Sequence, residues 1–128
     1  MRAGRVGWTV VLGALAWASL AAQTPAQADT MTWKVRSFSR YTVDVAFFSK
    51  NRRHVWPSTT TAYVIRDFEV KDYKLSCVAG ESICYGAAVK GNRSSYWGAG
   101  LDGKQGCKAC CFTCGGDTVT PIMNLNER

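Results

Sequence analysis

An all-β fold follows from three features of the sequence: a small antiparallel sandwich or barrel-like domain with a disulfide-stapled, coil-rich C-terminal third. Apolar and polar residues alternate with period two through much of the chain, no long segment keeps a 3.6-residue period, and turn residues separate the alternating runs. Between six and eight short strands at this spacing suit two facing sheets or a small closed barrel.

The first 28 residues stand apart from that pattern. Arg2 and Arg5 precede an apolar run over residues 6–22, and Ala26-Gln27-Ala28 supplies the small-x-small pattern that signal peptidase cuts. Residues 1–28 are therefore expected to be a cleaved signal peptide. Residues 29–128 are then one domain, secreted or periplasmic, with no transmembrane segment after cleavage. The two arginines are not adjacent, so a twin-arginine route is not indicated. The segment takes with it two of the 16 basic residues and none of the nine acidic ones, which leaves a charge of +5. That surplus favours anionic neighbours such as lipid headgroups, acidic polysaccharides or acidic proteins. It is too small and too scattered to point to nucleic acid.

The strands follow in order. Trp33 and Val35 alternate with Lys34 and Arg36 in the first. In YTVDVAFF, Tyr41, Val43, Val45 and Phe47 share one face, and Thr42, Asp44, Ala46 and Phe48 the other. Residues 62–66 come next, then DYKLSCV, where Tyr73, Leu75 and Cys77 oppose Asp72, Lys74 and Ser76. Residues 83–89, 95–99 and 118–125 complete the set, with Pro121 marking the start of the last as an edge or a bulge. Turns are expected over residues 49–58, at Ala79-Gly80, at Gly91-Asn92 and at Asp102-Gly103.

All six cysteines lie after residue 28: Cys77, Cys84, Cys107, Cys110, Cys111 and Cys114. An even count in a short exported domain reads as a disulfide framework, of about 15 possible connectivities. The last four stand at i, i+3, i+4 and i+7, bracketed by Gly106 and Gly115-Gly116, which suggests a short helix or a tight knuckle. A zinc cage from Cys107, Cys110, Cys111 and Cys114 is the metal alternative. Its two C-x2-C halves abut, however, so one short segment does not easily wrap an ion. A redox C-x-x-C needs a βαβ setting that is absent. Staples remain, with Cys110 and Cys111 reaching different partners. Cys77 and Cys84 bracket a turn that either closes on itself or is pinned to the cluster.

Catalytic groups are sparse. His54 is the single histidine and sits in a basic loop, and no Ser/His/Asp set assembles around Asp44, Asp67, Asp72 or Asp102. The glycines of GAGLDG lack the Lys-Ser/Thr of a phosphate loop. No enzyme and no cofactor are expected. Two surfaces suit binding. In KNRRHVWP, Arg52 and Arg53 stand beside Trp56, so guanidinium forks and a flat indole face could hold an anionic sugar, a phosphate or an acidic protein patch. The alternative is a solvated loop whose Trp56 folds onto the core. In CYGAAVKGNRSSYWGAG, Tyr96 and Trp97 could form a stacking platform, or serve as core with the glycines making room.

The strings ICYGA, YWGAG and CKACCFTCGG, within residues 75–116, resemble small exported, cysteine-rich bacterial proteins to which no activity is assigned. The resemblance implies an exported β domain whose cysteines act as a unit, and it brings no catalytic residue with it.

The sequence thus predicts an exported, disulfide-stabilised module that binds an anionic or sugar-bearing envelope component through Arg52, Arg53, Trp56, Tyr96 and Trp97. Replacing both arginines is expected to weaken binding while leaving the melting temperature nearly unchanged. The alternatives are the zinc-binding protein and a small inhibitor or effector of another envelope protein.

Overall fold

The computed structural model describes residues 27–127 together with positions 3, 4, 7, 13 and 14. The expected signal peptide lies otherwise outside the described residues. Among those described, no residue is helical and no helix is long and apolar enough to cross a membrane.

Nine strands form among the described residues: β1 (Ala28–Ser37), β2 (Val43–Ser49), β3 (Val55–Trp56), β4 (Tyr63–Ile65), β5 (Val70–Val78), β6 (Ser82–Val89), β7 (Asn92–Gly98), β8 (Cys111–Thr113) and β9 (Thr118–Leu125). They make two sheets. In the first, β1 is central, antiparallel to β5 and parallel to β9. In the second, β2 and β6 form an antiparallel central pair. The outer edge of β2 is shared end to end by β4 and β3, and that of β6 by β7 and β8.

The expected alternation fixes which faces meet. Met31, Trp33 and Val35 of β1 are fully buried, as are Val43, Val45 and Phe47 of β2. Tyr41, expected on the same face, lies ahead of β2 and is 54% exposed. The Trp33 ring sits 5.1 Å from Phe47 and 5.4 Å, edge-on, from Phe112, while Tyr73 of the first sheet reaches Phe47 at 5.6 Å and Tyr63 at 4.4 Å. Burying each such large ring contributes about 2–3 kcal/mol. The phenol of Tyr73 in this layer is pushed up to about 12, first by burial and then by Tyr63 and Asp67.

Pro121 does sit at a bulge on an edge strand. The register with β1 passes from Thr32↔Val119 to Lys34↔Ile122, so two residues of β9 oppose the one residue Trp33. The Thr120 hydroxyl accepts the Lys34 N–H at 3.1 Å, where the ladder is interrupted. The structure differs from expectation in two elements. β3 lies within the expected turn over residues 49–58, and β8 lies within the cysteine segment, which is neither helix nor knuckle. Cys111 is the cross-strand partner of Cys84, and that pairing demands extended backbone.

All six cysteines are bonded. Cys77–Cys114 ties β5 of the first sheet to the segment after β8, and Cys84–Cys111 joins β6 to β8 within the second. Cys107–Cys110 closes a small loop that is exposed at Cys107 and buried at Cys110. The turn bracketed by Cys77 and Cys84 is thus pinned to the cluster at both ends, and adjacent Cys110 and Cys111 take different partners. None of the four sulfurs of the alternative zinc set is a free thiol here.

Candidate functional site

The outer face of the second sheet holds the site. Asp44, Ala46 and Phe48 of β2 point outward by the same alternation that buries Val43, Val45 and Phe47. The chain after β7 folds back across this face and walls it on one side. Gly86 makes that approach possible: a Cβ there would stand 1.9 Å from the Gly100 carbonyl oxygen. Gly103, in the left-handed region at φ 71°, similarly rests its backbone on the Phe48 ring.

The opposite wall is the run Ser58-Thr59-Thr60-Thr61 within the β3–β4 connection. Ser58 organises it by accepting the backbone N–H of Thr60 at 3.2 Å and of Thr61 at 3.0 Å. Between the walls runs a cleft of about 580 Å³ with Asp44, Ala46, Phe48, Val55 and Val64 along its base. Lys90 of the β6–β7 turn and Arg93 of β7 line it near the start of β2, where the Lys90 N–H donates to the Thr42 carbonyl. At the end of β2 it continues past Phe48, Val55 and Thr59 into a second recess of about 330 Å³ lined by Lys50, Arg52, Arg53 and His54. The seven residues of β2 set a groove about 20 Å long.

The basic loop is positioned by a buried carboxylate. Glu81, in the β5–β6 turn, is 3% exposed and receives Arg52 at both oxygens, the Ser49 hydroxyl at 2.5 Å and the Val78 N–H at 3.0 Å. Burial alone would raise this carboxyl. Arg52, Ser49 and Val78 outweigh it and bring the value from 4.5 down to about 2. The same bond to Glu81 raises Arg52 above its ordinary value. Arg52 also lies over the Trp56 ring at 5.6 Å, with His54 edge-on to that ring at 4.4 Å.

The five expected binding residues therefore separate. Arg52 and Arg53 line the second recess, but Arg52 is held by Glu81. Trp56 is 7% exposed and donates its indole N–H to the Ser76 carbonyl of β5 at 3.0 Å. It is the tryptophan folded onto the core, and it offers no flat face to a ligand. Tyr96 and Trp97 are adjacent in β7, so the pleat sends them to opposite faces. Trp97 is 4% exposed and donates to the Asn126 carbonyl at 2.8 Å, whereas Tyr96 is half-buried. They do not form one platform. Sequence reasoning missed Phe48, the hydroxyl wall and the Lys90/Arg93 end. The signals were the outward position of Phe48, the run STTT and the basic stretch KGNR.

Comparison with known protein families, curated proteins and solved structures finds no match to this chain.

Proposed function

We propose that this protein is an exported carbohydrate-binding module, and that its ligand is an extended acidic glycan of the cell envelope lying along β2. The observation that supports this most is the distribution of charge along the cleft. Lys90 and Arg93 stand at one end and Lys50 and Arg53 at the other, with hydroxyls and carboxylates between. Cations at both ends suit a chain with repeated negative groups. Ser58 to Thr61, with Asp44 and Asp102, supply the donors and acceptors that sugar hydroxyls use, and Phe48 gives a partly exposed apolar surface for a ring face. A short anion would need only one end.

Calorimetric titration with an acidic oligosaccharide and a neutral one of equal length tests this. Binding of the acidic chain alone, weakening as salt rises, is the expected result. Equal binding of both chains, or of neither, would overturn it.

A further inference from the structure

One cluster plays no part in that cleft. The sequence groups Cys107, Cys110, Cys111 and Cys114, but the fold groups a different set. The sulfurs of Cys84, Cys110 and Cys111 lie within 4.8 Å of one another, with Cys110 Sγ 3.6 Å from Cys111 Sγ. Cys107 lies outside that set and is tied to it through its bond to Cys110. Cys114 is drawn away by Cys77.

We propose that, once its two outer disulfides are reduced, the chain binds one thiophilic d10 cation, zinc(II) or copper(I), through Cys84, Cys107, Cys110 and Cys111. A zinc–sulfur bond of about 2.3 Å in a tetrahedral site puts neighbouring sulfurs about 3.8 Å apart. The Cys110–Cys111 contact already has nearly that length. Two of the other edges are the disulfides themselves, which open on reduction. Three ligands come from one segment and the fourth from β6, so the ion is approached from two directions. This removes the objection that abutting C-x2-C halves cannot wrap it.

Accessibility decides which disulfides open. Cys107 and Cys111 are exposed, giving each outer disulfide a sulfur that a reductant can attack, whereas Cys77 and Cys114 are both buried. An external small dithiol supplies the electrons. Its first thiolate attacks Cys107 Sγ or Cys111 Sγ, and the S–S bond breaks with its electron pair going to Cys110 or Cys84. The second thiolate of the dithiol then displaces the protein sulfur and closes a cyclic disulfide. Two dithiols give four protein thiols, and the cation replaces their protons, which pass to solvent. The site is thus closed by oxidation and opened by reduction.

The test is native mass spectrometry of the protein after dithiol treatment, removal of the dithiol without air, and addition of zinc(II) or, separately, copper(I). One ion per chain is expected for at least one metal, with the near-ultraviolet circular dichroism of the aromatic core retained. The pair Cys77→Ser and Cys114→Ser should keep binding. The pair Cys107→Ser and Cys110→Ser, which removes the disulfide closing the shortest loop, should abolish it with the aromatic signal retained. No ion on the reduced protein, an ion that survives loss of Cys107 and Cys110, dependence on Cys77 and Cys114, or an ion held only after the aromatic signal is lost would each overturn the assignment.

Discussion

The Arg52 guanidinium grips the buried Glu81 carboxylate at both oxygens, Nε to Oε2 at 2.5 Å and Nη2 to Oε1 at 3.1 Å. Glu81 in turn belongs to the turn that the disulfides pin, since its carbonyl accepts the Cys114 N–H at 2.8 Å. One ion pair therefore connects the basic loop to the stapled region.

A pH dependence follows. A carboxyl lowered from 4.5 to about 2 stabilises the fold fully above its ordinary value, and that stability is lost as pH falls from about 4.5 towards 2. The contribution is on the order of 3 kcal/mol. Urea midpoints measured across this range should fall steeply for the natural protein and flatten for Glu81→Gln. An unchanged acid limb in the variant would remove Glu81 as its source.

The two arginines should part company. Arg52→Ala leaves Glu81 buried without its partner and should cost about 2 kcal/mol, held below the fully buried range because Arg52 is itself part-exposed. Arg53→Ala should leave the urea midpoint unchanged while weakening acidic-glycan binding and its salt dependence. This alters the sequence-based expectation that both could be replaced without affecting the melting temperature.

The indoles of Trp56 and Trp97 close opposite edges of the sandwich, one to Ser76 of β5 and the other to Asn126 just after β9. Substituting Phe at either removes the donor and leaves a carbonyl short of one bond, costing about 1–2 kcal/mol in chemical denaturation. Ala at either should cost about 3–5 kcal/mol through the cavity it opens. Neither Phe variant should change glycan affinity, and a loss of affinity at Trp97→Phe would return that residue to the binding surface.

Gly86→Ala should destabilise the protein by about 1–3 kcal/mol, because its methyl would meet the Gly100 carbonyl oxygen and displace one wall of the cleft. Hydrogen exchange is expected to rise over residues 99–105, with binding weakened in parallel.

Among the staples, loop length orders the expected losses. Cys77–Cys114 spans 37 positions and its replacement by paired alanines should cost about 4 kcal/mol, against about 2 for Cys107–Cys110 with a separation of three. Urea midpoints of the two double variants compare them directly.

Much of the fold was legible because period two is a local property. Trp33, Val35, Val43, Val45 and Phe47 all face inward as the alternation requires, and Pro121 marks a bulge because it has no N–H to give the ladder. The opposite faces of Tyr96 and Trp97 could have been read from their adjacency. The direction of Trp56 could not, since β3 is two residues long and the acceptor of its indole is 20 positions away. The cysteine pairing and the outer wall at Gly100 depend on contacts between distant segments, and spacing along the chain does not record them.

The parallel pairing of β1 with β9 joins the first strand of the fold to the last. A chain synthesised amino end first can give β1 one neighbour as soon as β5 emerges, but its other side stays bare until residues 118–125 arrive. Cys77 and Cys84 likewise wait for partners that come later. Contacts of such separation form slowly. Closing the first sheet therefore waits for its carboxyl-terminal strand, and a clipped chain would expose the central strand of one sheet to whatever edge it met first.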